Sequence, residues 1–316
     1  MLSMKILTPG PLATLQDAGR FGYMSTGFGS GGAMDTRSMQ IANILVGNDP
    51  GDGVIEMTML GLSAQFNCDS IFALTGADMN PMLNGESIPM YQAVEVHKGD
   101  KLTMSAARKG MRGYLAVAGG FDIPLAMGSM STNLKCGIGG FQGRKLSAGD
   151  VLPLRCSVTP SLLGLSACEP ENNYPNTVKV RVVLGPQDDY FTEKGLETFL
   201  NTFYKVSGQS DRMGVRLEGD PIENKNGVDI ISDGIAYGSV QIPASGTPII
   251  MMADRQTTGG YAKIATVITA DLPKIAQAKP GSMICFAAVT EKEAVRLLKK
   301  EKKQLSQLQY RTYYAR

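Results

Sequence analysis

Short apolar runs bounded by Gly or Pro recur along this chain, and over most of it the hydrophobic period is two rather than 3.6. Residues 71–75 (IFALT), 112–118 (RGYLAVA) and 178–184 (VKVRVVL) read as strands, the last with clean alternation. Asn84-Gly85 lies between Met82-Leu83 and Ser87-Ile88. It is the pair a type I′ hairpin turn requires, because both central residues need positive φ. A turn-then-strand phrase recurs as KGDKL (98–102), AGDVL (148–152) and PGSMI (280–284), which suggests repeated barrel corners. Helical spacing is confined to three places. Residues 34–47 have Asp35 as N-cap and Gly47 as stop, and residues 188–201 turn Phe191, Leu196, Phe199 and Leu200 inward. A third helix starts at Thr290, where Glu293 completes a capping box, and runs into the basic stretch KKEKK (299–303). That stretch reads as a solvated face, with membrane or partner binding as the alternative. Between residues 156 and 177 the pattern lapses around Pro160, Pro170 and Pro175. The reading is therefore a mainly β chain of two domains, 1–155 and 178–316, the second carrying a C-terminal helix.

Composition narrows the functions. A chain of 316 residues, 43% hydrophobic and 19% charged, buries a large core, and 37 glycines exceed the average usage of about 7% and favour tight turns. With 31 basic and 29 acidic side chains, nothing is left over to neutralise a phosphate backbone, so nucleic acid is not the expected partner. Five cysteines (Cys68, Cys136, Cys156, Cys168, Cys285) lack any C-x-x-C pair and read as reduced, mostly buried thiols. His97 is the one histidine, and it lies in an alternating run as a strand-surface residue. That excludes a histidine-based zinc site and a Ser-His-Asp triad; no metal site is expected. No signal-like or spanning apolar segment is seen, which predicts a cytoplasmic protein without a membrane partner.

Polar residues gather in five clusters at the ends of strands and helices. The first is TLQDAGRFG (14–22) and the second GSGGAMD (29–35), which resembles a phosphate cradle but lacks the Lys-Ser/Thr ending of a P-loop. Asp35 also repels phosphate at that helix start, so a structural turn with a cap is the simpler reading. GSMSTN (128–133) and SDRMGVR (210–216) follow, the latter with an adjacent acid and base that a surface ion pair also explains. The fifth, DRQTTGGYAKIA (254–265), stands between two β-branched apolar runs and reads as a loop springing from the core, where binding groups collect.

The order and wording of these phrases resemble the KipA/PxpC family, once called allophanate hydrolase subunit 2 and related to the carboxyltransferase part of urea carboxylase. The matching phrases are TLQDAGRFGY, GAMD, IANILVGN, RGYLAVAGGFDIP, DRMGVRL, YGSVQIPASGTPI and QTTGGYAKIA, and they span about residues 6–286. The resemblance implies two cyclophilin-like β-barrels. It implies the PxpC-type component of an ATP-dependent 5-oxoprolinase, which opens 5-oxo-L-proline to L-glutamate together with a KipI/PxpB-type and a PxpA-type subunit and is inactive alone. Two alternatives accompany it: the carboxyltransferase component of a biotin-dependent urea or amide carboxylase, and a regulatory binder that antagonises a KipI-type kinase inhibitor. ATP is used by the complex under the first reading, and biotin enters only under the carboxylase alternative.

Residue roles follow from the matched phrases. Asp254, Lys263 and Asp211 are the catalytic candidates. Asp17, Arg20, Asp35, Arg212, Gln256, Thr257, Gly259 and Gly260 are the substrate-binding candidates, carboxylates acting as base or orienting an N–H and cations holding carboxylate or oxyanion charge. Asp254, Gln256, Thr257 and Lys263 are expected to line one pocket with Asp211 and Arg212, and Lys263→Ala is expected to abolish activity with little change in melting temperature. The simpler alternative is that Asp254 and Lys263 pair with each other across a solvated loop. Three positions depart from the family pattern: Gly31 for Ser, Met130 for Arg and Ala262 for Pro. Losing a guanidinium at 130 weakens the case for anion binding by that loop.

Overall fold

The structure is a computed structural model that describes residues 2–155, 162–167 and 174–315. The chain divides into two compact units, one of Met1–Arg20, Gly31–Asn173 and Lys303–Arg316, the other of Phe21–Ser30 and Tyr174–Lys302. Residues 21–30 and 303–316 thus group with the half opposite to the one their sequence position suggests. The expected linker at 156–177 lies largely outside the described residues, as do Cys156 and Cys168. Of the other cysteines, Cys68 is buried, Cys285 partly buried and Cys136 exposed, all as free thiols.

The first unit contains β1 (Ser3–Thr8), β2 (Ala13–Gln16), β3 (Val54–Thr58), β4 (Ser63–Phe66), β5 (Ser70–Asp78), β6 (Met82–Leu83), β7 (Glu86–Ser87), β8 (Ala93–Val96), β9 (Lys101–Thr103), β10 (Lys109–Val117) and β11 (Val151–Pro153). They form a six-stranded sheet, β11-β1-β4-β9-β6-β7, and a five-stranded sheet, β2-β3-β10-β5-β8. Ile55, Met57, Phe72, Leu74, Leu115 and Val117 of the second sheet share a core with Met4, Ile6, Phe66 and Leu102 of the first. The alternate residues Val54, Ile71, Ala73, Tyr114 and Ala116 pack on its other face with Met39, Ala42 and Leu45 of helix α1 (Thr36–Leu45). A sheet covered on both faces has apolar residues at every position, which is why IFALT reads as a continuous run. Asp35 caps α1 by accepting the Ser38 amide at 2.9 Å. Asn84 and Gly85 adopt φ of 53° and 89° between β6 and β7, the expected type I′ turn. His97 is exposed just past β8.

The second unit contains β12 (Thr177–Leu184), α2 (Glu193–Asn201), β13 (Tyr204–Val206), β14 (Gly214–Glu218), β15 (Asp229–Gly234), β16 (Ser239–Gln241), β17 (Ile249–Met251), β18 (Thr258–Tyr261), β19 (Lys263–Val267), α3 (Leu272–Gln277) and β20 (Met283–Ala288). Seven strands close into a barrel in the order β12-β19-β16-β17-β14-β13-β20, with β20 parallel to β12 at the closure. Closure removes the exposed edges that an open sheet leaves. The helix expected over 188–201 is divided. A 3₁₀ turn at Asp188–Tyr190 gives way to extended Phe191, buried and bridged to Asn224, and Thr192 then caps α2 through the Gly195 amide. Phe199 of α2 stacks on Phe286 of β20 with ring centroids 4.4 Å apart. The KGDKL, AGDVL and PGSMI phrases each place glycine at φ of 101°, 91° and 89° ahead of β9, β11 and β20. Helix α4 (Glu291–Ala315) starts with the Glu293 amide on Thr290 Oγ1, and Lys299, Lys300, Lys302 and Lys303 are exposed along it. Among the described residues no helix is long and apolar enough to cross a membrane.

One barrel acid is placed to control stability. Asp271, 0% exposed, accepts the Arg181 guanidinium at 2.6 and 2.8 Å, the Arg181 amide at 2.8 Å and Lys274 Nζ at 2.8 Å. Burial pushes its carboxyl up, but the bonds from Arg181 and Lys274 outweigh burial and hold it below the usual carboxylate range. A carboxyl depressed in the folded state gives stability that is present above its unfolded pKa of about 4 and lost as pH falls through the folded value. The melting temperature is therefore expected to hold from neutrality to about pH 5 and to fall below about pH 4. In Asp271→Asn the acid-side fall becomes shallower and starts from a lower plateau, which calorimetry across pH measures.

Candidate functional site

In the first unit the end of β2 and the loop 129–132 form one polar knot. The Asp17 carboxylate accepts the Gly19 amide at 2.8 Å, the Ser129 hydroxyl at 2.7 Å, the Ser131 hydroxyl and the Met130 amide. The Asp17 amide in turn donates to Ser131 Oγ at 3.0 Å. Arg20, fully buried, donates from Nε to Ala126 O at 2.9 Å and from Nη2 to Ser131 O at 3.0 Å, while Nη1 is sealed without an acceptor among the described residues. The first and third clusters of the sequence are therefore one structure. Asp35 is committed to the start of α1, where it holds both the amide and the hydroxyl of Ser38. Its carboxylate occupies the helix terminus that a phosphate would need, so these residues do not fit ATP. Two neighbours were not singled out in the sequence: Tyr114 Oη accepts the Asp35 amide at 2.8 Å and donates to Glu56 Oε2 at 2.9 Å. Burial, with the nearby Glu56 and Asp35 charges, pushes the Tyr114 hydroxyl well above its ordinary pKa, so it stays a donor.

In the second unit the ladder between β14 and β17 runs on past both strands, with the Met252 amide on Met213 O and the Asp254 amide on Arg212 O, each at 2.9 Å. That register sets Arg212 beside Asp254, and the guanidinium grips the carboxylate with Nε–Oδ2 2.8 Å and Nη2–Oδ1 3.1 Å. Asp211 turns back on its own loop, where Oδ1 accepts the Met213 and Gly214 amides at 2.8 and 3.0 Å. This is an Asx turn that shapes the approach to β14.

The segment read as a loop is in part a strand. Residues Thr258–Tyr261 pair with β15, and Lys263 opens β19. Gly259 and Gly260 do not have positive φ; a Cβ on Gly259 would lie 2.6 Å from Ile235 Cδ1 and 2.9 Å from Gln241 Nε2, so a side chain there would make the ends of those two side chains shift. Lys263 is 2% exposed, and its Nζ donates to Asp233 Oδ2 at 2.8 Å and Gly234 O at 3.3 Å. Lys263 holds the Asp233 carboxyl below the usual carboxylate range. Gln187 clamps the Lys263 backbone on both sides, accepting its amide and donating to its carbonyl, each at 3.1 Å. Gln256 is exposed and Thr257 half-buried. Within this unit Asp254, Arg212 and Asp211 come together at the β14–β17 register, whereas Lys263 pairs through β15. Sequence proximity offers Asp254 and Lys263 as mutual partners; the sheet provides each with a different one. Asp233 carries no motif, and only strand pairing reveals it.

The three departures also have local causes. Gly31 has φ of 59°, where a side chain is strained. Met130 is buried, and its Sδ occupies the space where a Cβ on Gly53 would lie, 2.3 Å away. The Ala262 amide donates to Val228 O at 2.8 Å, a bond that proline cannot make.

Comparison with known proteins places this arrangement. Residues 26–288 match the family described as carboxyltransferase domain, subdomain A and B. The chain is 37% identical over 310 residues to the 5-oxoprolinase C subunit of Escherichia coli strain K12, covering 98% of this chain and 99% of that protein. The chain belongs to the family of 5-oxoprolinase C subunits. It is also 40% identical over 297 residues to the Haemophilus influenzae 5-oxoprolinase C subunit, covering 94% of each. Urea amidolyase of Saccharomyces cerevisiae is 33% identical over 308 residues, but the chain spans only 17% of that protein. The crystal structure of the Kluyveromyces lactis urea carboxylase matches with a TM-score of 0.88 at 30% identity, over 97% of this chain and 29% of that one. Membership of this 5-oxoprolinase family and a mainly β chain with a C-terminal helix are what the sequence predicts; of the two barrels expected, the second unit's seven strands close, while the strands of the first form a six-stranded and a five-stranded sheet.

Proposed function

We propose that this chain is the PxpC-type component of an ATP-dependent 5-oxoprolinase, acting with a KipI/PxpB-type and a PxpA-type subunit in the cytoplasm to convert 5-oxo-L-proline to L-glutamate. The observation that carries the reading is similarity to two such C subunits over nearly the full length of both partners in each comparison. Urea amidolyase and urea carboxylase are much longer than the stretch they share with the chain. ATP is consumed by the complex, and the α1 terminus is not its site on this chain.

Within the second unit, Lys263, whose ammonium is held by Asp233 and Gly234 O, supplies a buried, fixed N–H donor suited to a developing oxyanion, and Asp254, oriented by Arg212, supplies a carboxylate suited to a ring N–H. Gln256 and Thr257 offer amide and hydroxyl contacts at the surface of the same segment. Asp17, Asp35 and Asp211 have their carboxylates engaged by backbone amides and hydroxyls, which suits them to holding loops. A bacterium whose own PxpC-type gene is deleted is expected to regain growth on 5-oxoproline as nitrogen source when given this chain; failure with well-expressed chain counts against the reading. The carboxyltransferase likeness supports a second reading, transfer of a carboxyl group to an amide nitrogen from biotin on another chain. It predicts a biotinylated protein among co-purified partners, which a streptavidin blot detects.

A further inference from the structure

Three cations in or near the fifth cluster differ in one respect. Arg212 is neutralised by Asp254 and Lys263 by Asp233. Arg255, to which no motif assigns a role, is 7% exposed, and among the described residues no carboxylate lies within 4 Å of it. Its Nε donates to Ile235 O at 2.9 Å, and its Nη1 shares Ser30 Oγ at 3.3 Å and Met252 O at 3.4 Å. Nη2 has no acceptor among the described residues, yet it is not one of the polar atoms sealed from solvent. The guanidinium lies 5.4 Å from the centre of the Tyr237 ring, which gives it a π face but no counter-charge. Burial holds it below its ordinary basicity, though an arginine side chain remains protonated throughout the working range.

A desolvated cation without an acid is unfavourable, and carbonyl and ring dipoles offset only part of the cost. Where such a charge can be reached, a ligand's anion would supply the missing partner. Arg20 in the first unit also bonds only to carbonyls, but its spare nitrogen is sealed, so no solute reaches it. At Arg255 the unsealed Nη2 belongs to the guanidinium whose Nη1 meets Ser30 Oγ at 3.3 Å, a mostly buried hydroxyl whose proton is committed to no described residue. One donor from each group suits the two oxygens of a carboxylate.

We propose that Arg255, with Ser30, anchors the carboxylate of an anionic small-molecule ligand, and that in the 5-oxoprolinase this is the carboxylate of 5-oxoproline. The identity of the ligand rests on the function proposed above; the anion site does not. The anchor separates a lactam acid from a neutral amide such as urea, because only the former supplies the counter-charge.

Two measurements test it. In the first, thermal unfolding of the full chain is followed in sodium acetate against sodium chloride of equal ionic strength. Acetate is expected to raise the melting temperature of the wild type and not of Arg255→Gln. In the second, the reconstituted complex is assayed with 5-oxo-L-proline and with 2-pyrrolidinone, the lactam without the carboxylate, as competitor. Arg255→Gln is expected to raise KM for 5-oxoproline about 100-fold with kcat within a few-fold, and to erase the preference over 2-pyrrolidinone. Arg255→Lys, which keeps the charge and loses the fork, falls between and carries the test if the Gln variant does not fold. An acetate effect and a KM that survive in both variants overturn the anchor. If acetate stabilises the wild type alone but the complex does not turn over 5-oxoproline, the anion site stands and the 5-oxoprolinase reading falls.

Discussion

Asp17→Ala is expected to cost about 3–5 kcal/mol, the range found when one side of a buried charged network is removed. Four donors lose their acceptor at once: two hydroxyls, from Ser129 and Ser131, and two amides, from Gly19 and Met130. Each buried donor left unpaired costs about 1–3 kcal/mol before relaxation and water entry reduce the sum. For a unit of this size the melting temperature falls on the order of 10 °C. Asp17→Asn keeps the shape but turns an amide N–H toward donors, so it is expected to lose nearly as much. Calorimetry of both variants checks this, and a shift of only a degree or two would mean that the knot does not hold the loop.

The largest effect on turnover is expected at Lys263. Lys263→Met keeps the buried volume and removes the charge, and activity of the assembled complex is expected to drop about a hundred- to a thousandfold, as for loss of one preorganised donor to an oxyanion. The melting temperature moves little, because the released Asp233 side chain is more than half exposed and returns to water. Lys263→Ala behaves differently from what the sequence suggests. With a side chain 2% exposed, truncation leaves a cavity and costs about 2–5 kcal/mol, so that variant mixes instability with lost chemistry. Comparing Met with Ala separates the two. Unchanged turnover in Lys263→Met would remove this residue from the chemistry.

What was legible in the sequence was local. Period-two alternation located β12, and the continuous apolar run IFALT marked a strand buried on both faces. Asn84-Gly85 fixed a hairpin through the φ its turn demands, and Asp35 and Thr290 announced the starts of α1 and α4 because capping is a matter of a few adjacent residues. Partner choice was not legible. Thr258–Tyr261 has two glycines and poor strand propensity, and it becomes β18 only because β15 pairs with it from some thirty residues away. Asp254 and Lys263 are close in sequence yet belong to different ion pairs, since Arg212 arrives by the β14–β17 register and Asp233 by β15. Arg255 stood inside the fifth cluster, but its lack of an acid is a property of the space around it. The grouping of residues 21–30 with the second unit and 303–316 with the first is likewise set by contacts between distant segments.

The central claim is that this chain is a required part of a 5-oxoprolinase. Its most direct test is an omission experiment: the PxpA-type and KipI/PxpB-type subunits are mixed with and without the chain, and 5-oxoproline-dependent release of ADP and glutamate is followed. Turnover is expected only in the complete mixture, with none from the chain alone. Full-rate turnover from the two other subunits without it would contradict the account.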